Sequence, residues 1–330
     1  MQNVSGAGHA WRIVPVVVTA IATLLASAAM GQSFPSKPIR LVAPSSTGGG
    51  IDAVARIVAT ASSTLGQQIL VDNRPGANGM IGTDIVAKAP PNGYTLLIGF
   101  TGAIAVNVSL YSKLPYDPVR DFAPITLVAA SPLLVVTHPS VPVRSIKELI
   151  KLDKVRPGTL TYGTGGIGTG SHLTMEMFNL AAGTRLLHVP YKGIGPALTD
   201  VLGGQIALMV SSPISSQPHV ESGKLRALAI TGRARLAALP NVPTMIDSGL
   251  PDFESSSWFG VLAPAGTPSA IVATLHREIV ALLQRPEIRT QITRTGAEPV
   301  GNSPEAFAAY IKAEISKWAR VIKSANIKPE

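Results

Sequence analysis

Cysteine is absent from the 330 residues of this chain. Its absence excludes disulfide scaffolds, cysteine-ligated zinc, iron–sulfur clusters, thiol catalysis and a lipid anchor on an N-terminal cysteine. Charged residues are scarce, at 14%, while hydrophobic residues make up 46%. This composition excludes a disordered chain, because disorder requires low hydrophobicity together with a high net charge. The length predicts about two domains, at roughly 100–200 residues each.

Signatures of catalysis and of nucleotide binding are also missing. The chain has no Gly-x-Ser-x-Gly, Ser-x-x-Lys or His-Glu-x-x-His motif and no phosphate-binding loop. Gly163, Gly165 and Gly168 have the spacing of a dinucleotide fingerprint, but the acidic residue needed about 20 residues later is missing. His172 and Glu176 could share a helix face, yet a single histidine there does not predict a metal site. The sequence therefore predicts neither an enzyme nor a cofactor.

The N-terminus has the pattern of a secretory signal peptide. Arg12 precedes an uncharged apolar run, Ile13–Ala29, and small residues follow it. We predict a signal peptide over residues 1–31 with cleavage after Gly31; cleavage after Ala28 and an uncleaved anchor are the alternatives. No later segment reaches about 18 uninterrupted apolar residues. The mature chain is therefore expected free in the periplasm and without lipid.

The mature chain keeps a positive charge. The net charge of +9 falls to +8 when Arg12 is removed with the signal peptide. Basic and acidic residues are interspersed, and no arginine-rich arm or basic–aromatic pattern predicts nucleic-acid binding. The positive charge is typical of a solvated surface. The alternative is that it produces a weak positive field that attracts small anions.

Short β-branched runs alternate with amphipathic stretches along the mature chain. This pattern predicts an α/β protein with two parallel, doubly wound sheets and helices on both faces. An apolar run, Leu127–Thr137, could lead the chain from one sheet into the other, and the turn-rich stretch before Trp258 could lead it back. We predict a discontinuous first lobe, 34–130 plus 251–330, and a second lobe, 131–250, joined by a hinge.

The boundaries of the elements follow from turn and capping residues. Ser145 with Glu148 forms a capping box, and proline follows a capping residue at the start of each of the last two helices. The predicted strands are Ile39–Ala43, Ile69–Asp72, Thr95–Phe100, Leu133–Thr137, Leu160–Tyr162, Leu186–Val189, Ala207–Val210, Ala227–Thr231 and Gly260–Ala263. The longer predicted helices are Asp52–Leu65, Gly79–Ala89, Ser171–Ala182, Pro268–Gln284 and Pro304–Lys323.

Loops rich in glycine, serine and threonine follow six of these strands. In a parallel sheet such loops meet at the carboxyl ends of the strands, where open α/β folds bind ligands. Several lead into helices, whose free N–H groups and positive ends suit an anion. Ordinary turn chemistry is the alternative. The loops are Pro44–Gly50, Arg74–Gly79, Gly99–Gly102, Gly163–Ser171, Pro190–Gly193 and Ser211-Ser212.

Motifs spread over the mature chain carry a family resemblance. They include Phe34–Val42, Gly48-Gly49 with Asp52, Asp72–Gly82, Pro91–Leu97, Tyr162-Gly163, Ser171–Leu173, His188–Gly193, Pro196–Asp200, Leu225–Ala229, Pro243-Thr244 and Ala263–Pro268. Together they resemble the Bug family, the TctC-like periplasmic solute-binding proteins of tripartite tricarboxylate transporters.

The resemblance implies a two-lobed periplasmic-binding-protein fold, type II-like, that closes on a small organic carboxylate without catalysis. It also implies a membrane permease of a large and a small subunit as partner, and we expect a monomer. The family's contacts match Ser45, Ser46, Thr47, Gly48, Gly49, Gly76, Ala77, Asn78, Gly79, Thr164, Gly165, Gly168, Ser171 and Ser211. The loops add Thr101 and Tyr191, although Tyr191 could equally be a packed side chain.

Two segments depart from the family pattern. Ser45 stands where an aromatic residue is usual, and Ala207 and Ser211 replace residues that are often acidic. These neutral residues favour a dicarboxylate, hydroxy acid or aromatic carboxylate over an amino acid, whose buried ammonium group would need a carboxylate. Asp52 is expected to cap its own helix. The alternatives are a secreted hydrolase acting on an anionic substrate and a ligand-presenting partner of a membrane sensor.

Overall fold

The computed structural model describes residues 34–48, 50–191, 193–294 and 296–328. The predicted signal peptide and the predicted ligand contact Gly49 lie outside the described residues. Lys37–Glu330 form one unit, and both sheets lie in it. In the described part of the chain, no helix combines the length and the hydropathy that a membrane crossing requires.

The strands form two sheets. The first has the order β11-β4-β10-β3-β1-β2, and the second has the order β7-β6-β8-β5-β9. The strands are β1 (Ile39–Ala43), β2 (Ile69–Asn73), β3 (Thr95–Phe100), β4 (Phe122–Pro132), β5 (Leu134–Thr137), β6 (Thr161–Thr164), β7 (Leu187–Pro190), β8 (Leu208–Ser211), β9 (Arg226–Ile230), β10 (Ser256–Pro264) and β11 (Glu298–Pro299).

Helices separate most of these strands. A 3-10 turn (Ala77–Gly79) and a π-helical turn (Gly102–Val106) precede α3 and α4. The helices are α1 (Gly50–Ala59), α2 (Ser62–Leu65), α3 (Met80–Ala87), α4 (Asn107–Leu110), α5 (Ile146–Val155), α6 (Gly170–Ala182), α7 (Ile194–Leu202), α8 (Pro213–Glu221), α9 (Ser269–Leu283), α10 (Pro286–Arg294) and α11 (Pro304–Ser324).

The prediction that both sheets are parallel is wrong. β10 runs antiparallel to β3 and β4, and β5 runs antiparallel to β8 and β9. The chain passes from β4 in the first sheet to β5 in the second with only Leu133 between them, and it returns from β9 to β10. The strand by which the chain enters each sheet from the other, β5 or β10, thus runs against the parallel strands of that sheet.

The strands that carry the glycine-rich loops do run parallel to one another. β1 pairs in parallel with β2 and β3, and β6 pairs in parallel with β7 and β8. Within each sheet, three of the loops therefore emerge at the same edge. The buried apolar runs of β1 and β3 are typical of parallel strands that helices cover on both faces.

The predicted helix Asp52–Leu65 is broken into α1 and α2. Between them the hydroxyl groups of Thr60 and Ser62 donate to the carbonyls of Ile57 and Ala59 at 2.6 and 2.5 Å. Such side-chain bonds to the backbone compete with helical hydrogen bonds. The sequence analysis also missed α8, α10 and the short strand β11.

Candidate functional site

A cavity of about 330 Å³ lies where the two sheets approach each other. This volume is at the lower end of the ~300–1,000 Å³ that small-molecule sites occupy. Segments of both sheets line it, as do the two crossing points between them. The lining residues are Gly50, Ile51, Asn78, Phe100, Thr101, Gly102, Val106, Leu133, Gly168, Thr169, Gly170, Leu173, Thr174, Ser255, Ser256, Ser257, Trp258, Phe259 and Trp318.

Three of the predicted contacts, Asn78, Thr101 and Gly168, line this cavity together. They come from three different loops, two in the first sheet and one in the second. Gly50, the first residue of α1, adds the end of the first loop. The other described contacts predicted from the sequence do not line the cavity, and two of them, Tyr191 and Ser211, lie on two further loops of the second sheet.

The first loop is closed by the carboxylate of Asp52. This side chain is 4% exposed, accepts a hydrogen bond from the Gly48 N–H at 2.9 Å, and contacts Arg56 Nε at 3.0 Å. The hydrogen bond from Arg56 is the largest of the contacts that lower the pKa of Asp52. Ser46 and Thr47 are exposed, whereas the buried Ser45 hydroxyl has no hydrogen-bond partner among the described residues.

The second loop has a left-handed backbone that holds Asn78 in place. Ala77 and Asn78 have φ values of 47° and 49°, between Gly76 at 125° and Gly79 at 83°. Asn78 Nδ2 donates to Asn107 Oδ1 at 2.8 Å, and Asn107 Nδ2 donates back to the Asn78 carbonyl at 3.1 Å. These two bonds fix Asn78 at the cavity wall against the start of α4.

Thr101 connects the end of β3 to the start of β10. Its Oγ1 accepts a hydrogen bond from the backbone N–H of Trp258 at 2.9 Å. Because this bond uses the oxygen as acceptor, the hydroxyl hydrogen of Thr101 is left to donate to a ligand.

Two histidines contact the glycine-rich loop that follows β6 and the end of that strand. Gly168 N–H donates to His172 Nδ1 at 3.0 Å, and Thr164 Oγ1 contacts His188 Nε2 at 2.6 Å. The two imidazole rings stack with their centroids 3.9 Å apart. Burial lowers the pKa of each imidazole to about 4, and electrostatic repulsion from His188 contributes to the low pKa of His172. Both rings are therefore neutral at pH 7.

Three other predicted contacts are in internal hydrogen bonds. The hydroxyl of Tyr191 donates to Asp200 Oδ2 at 2.6 Å, which raises the pKa of Tyr191 to about 12. Ser211 is buried and its hydroxyl pairs with that of Ser216 on α8. Ser171 Oγ accepts from the Gly165 N–H at 3.3 Å, so it stabilises its own loop.

A serine run at the cavity was not predicted from the sequence. Ser255, Ser256 and Ser257 line it immediately before Trp258. Ser255 Oγ pairs with Thr174 Oγ1 at 2.6 Å, whereas no described residue hydrogen-bonds to the hydroxyls of Ser256 and Ser257. Three consecutive hydroxyl residues around the start of β10 are the available signal, but the sequence pattern predicts only a turn-rich connection between the sheets there.

Two tryptophans form part of the cavity wall, and a buried carboxylate holds both. Trp258 Nε1 donates to Glu314 Oε2 at 3.1 Å, and Trp318 Nε1 donates to the same oxygen at 3.0 Å. Glu314 is 4% exposed, and its other oxygen pairs with Lys317. Because both indole N–H groups are used in this way, neither is left to donate into the cavity.

The fold is that of a two-lobed periplasmic solute-binding protein. Over 90% of the chain it superposes on the periplasmic binding protein BugD with a TM-score of 0.71 and 37% identity, covering all of that chain. It superposes on Rpa4515 of R. palustris, solved with adipate, with a TM-score of 0.75 and 38% identity, covering 90% of this chain and all of the other.

Sequence comparison identifies the family. The family model described as "Tripartite tricarboxylate transporter family receptor" matches residues 54–327. The Bordetella pertussis protein BugT is 38% identical over 320 residues, which are 96% of this chain and 98% of BugT. The chain therefore belongs to the tripartite tricarboxylate transporter receptor family, and the predicted family and fold class are confirmed.

Proposed function

We propose that the protein captures a small organic carboxylate in the cavity between its lobes and delivers it to a membrane permease of large and small subunits. The cavity itself carries this proposal, because loops of both sheets line it and donors that lack partners face it. The protein binds the ligand without converting it. Its place of action is the periplasm, reached through a cleaved signal peptide over residues 1–31, and it acts as a monomer.

The chemistry of the lining supports an anionic ligand. α6 begins at Gly170 on the cavity wall and has no acidic residue in its first turn, so its positive end is not neutralised within the helix. The hydroxyls of Thr101, Ser256 and Ser257 add donors next to it. The relative solved with adipate points to the same ligand class.

We further propose that the lobes are residues 34–130 plus 251–330 and residues 131–250. The strands of the first sheet lie within 39–132 and 256–299, and those of the second lie within 134–230. The crossings at Leu133 and Ser255 then form the hinge, and closure brings the loop containing Gly168 towards that containing Asn78. Small-angle X-ray scattering tests this motion: the radius of gyration falls at ligand saturation, and an unchanged value contradicts the hinge.

A thermal-shift screen of organic acids tests the binding function. A carboxylate at 100 times its Kd adds about 2.7 kcal/mol to the free energy of unfolding. Thr101→Val removes a cavity donor and is expected to reduce the ligand-induced shift, whereas Thr290→Val, at an exposed helix position, serves as the matched control. If no carboxylate raises the melting temperature, binding is refuted; if the acid or its ester is converted, the protein is a hydrolase.

A further inference from the structure

The cavity has no cation to pair with a second carboxylate. None of the described residues that line it is ionisable. Much of its surface is instead apolar, and the lining side chains Val106, Leu173, Trp258 and Trp318 belong to one buried hydrophobic cluster. Phe100 and Phe259 add two aromatic rings to the lining.

The unpaired donors are concentrated where α6 begins beside the start of β10. A Cβ atom on Gly170 would lie 3.6 Å from Ser257 Oγ, so that hydroxyl lies against the first residue of α6. Thr174, in the second turn, contacts Ser255 at 2.6 Å. Between these contacts lies Ser256, which is 8% exposed, lines the cavity and forms no side-chain hydrogen bond with any described residue.

We infer that this cavity selects a monocarboxylate with an apolar body of about one six-membered ring, and disfavours aliphatic dicarboxylates. The inference rests on the proposed function and specifies its ligand class. The carboxylate binds the helix start and the hydroxyls of Ser256 and Ser257. The apolar body packs against Phe100 and Phe259, the two lining rings that are partly exposed, where each buried CH₂ group is favourable.

The aromatic part of the cavity is unsuited to a second carboxylate because it offers no free donor. The indole N–H groups of Trp258 and Trp318 both donate to Glu314, and the partly exposed rings of Phe100 and Phe259 carry no polar atom. A carboxylate against those rings would lose its hydration without gaining a hydrogen bond, which is costly.

Titration calorimetry with benzoate, cyclohexanecarboxylate, succinate and adipate tests the inference. Benzoate or cyclohexanecarboxylate is expected to bind at least tenfold more tightly than either dicarboxylate. Two of the three tryptophans, Trp258 and Trp318, line the cavity. The third, Trp11, lies in the proposed signal peptide, so a change in the indole emission of the mature chain locates the ligand in the cavity. Equal or tighter binding of adipate or succinate overturns the inference and leaves the proposed function standing. The absence of binding by all four acids also overturns the inference, and the screen of organic acids then decides the proposed function.

Variants of the wall and of the donors make the test specific. Phe259→Arg supplies a cation at the wall and is expected to shift the ratio of adipate to benzoate affinity at least tenfold towards adipate. Phe259→Leu is the control, because a merely structural effect changes both affinities and leaves their ratio unchanged. Ser256→Ala combined with Ser257→Ala is expected to weaken benzoate at least tenfold, while the exposed Ser63→Ala has no effect; unchanged benzoate affinity in the double variant overturns the assigned carboxylate position.

Discussion

The hydroxyl group of Thr231 donates a hydrogen bond to the backbone carbonyl of Ser255 at 2.5 Å. The Ser255 N–H donates back to the Thr231 carbonyl at 2.9 Å. Thr231 also accepts from the N–H of Leu133 at 2.8 Å, through the same hydroxyl. Thr231 follows the last strand of the second sheet, so one buried side chain ties together both places where the chain crosses between the sheets.

Thr231→Val is expected to lower the free energy of unfolding by about 1–3 kcal/mol. The valine leaves the Leu133 N–H and the Ser255 carbonyl buried without their partner, and unsatisfied buried polar groups cost about that much. Urea denaturation of the full chain measures the loss. Thr231→Ser keeps the hydroxyl and is the control; equal stability of the valine and serine variants contradicts the role of this hydrogen bond.

Stability is expected to fall as the pH drops from about 6.5 towards 4. Burial lowers the pKa of His172 and of His188 to about 4 in the folded chain, whereas an unfolded histidine has a pKa near 6.5. Between these values the unfolded chain binds protons that the folded chain does not, so acid favours unfolding. The loss is complete below the folded pKa values, and stability is fully present above pH 6.5.

Urea titrations at several pH values between 7 and 4.5 measure this dependence. His172→Asn retains an acceptor for the Gly168 N–H and removes one titrating ring, so the slope over this range is expected to decrease by roughly half. His219, on α8, lies outside the stacked pair, and His219→Gln is the matched control with an unchanged slope. The same slope in both variants and the parent would assign the acid sensitivity to other groups.

Glu314→Gln is expected to destabilise the fold by about 2–4 kcal/mol. The substitution removes the charge that pairs with Lys317 and replaces one accepting carboxylate oxygen with an NH₂ group, which cannot accept a hydrogen bond. Breaking a buried ion pair from one side costs about this much. Near-ultraviolet circular dichroism should show that the environments of Trp258 and Trp318 change. The exposed Glu287→Gln is the control and should stay within about 0.5 kcal/mol.

Arg74→Ala is expected to leave carboxylate affinity nearly unchanged. Arg74 Nε pairs with Asp72 at 3.0 Å, its side chain is half exposed, and it does not line the cavity. Binding through neutral donors and helix N–H groups requires no arginine. Calorimetry with a carboxylate found in the screen measures the effect against Arg40→Ala, whose arginine also pairs with Asp72. A hundredfold loss of affinity in Arg74→Ala alone, about 2.7 kcal/mol, would place that arginine in the site.

Local features of this protein can be predicted from the sequence alone. Ser145 and Ser303 cap their helices by accepting from the N–H three residues later, and Gly183 ends α6 in a left-handed conformation. These signals depend on neighbours within a few residues, so the local sequence is enough to predict them. The same holds for the loops that follow β1 and β6, whose positions glycine and hydroxyl residues after an apolar strand predicted; that these loops bind a ligand stays a prediction.

Which groups face the cavity depends instead on long-range packing. Tyr191 and Ser211 were plausible contacts by position, yet a partner on the following helix occupies each hydroxyl. Trp258 and Glu314 are 56 residues apart in the chain and become hydrogen-bonded only because β10 and α11 pack together. Whether a polar group is free or satisfied depends on such long-range partners, and neither the local pattern nor the spacing of residues contains that information.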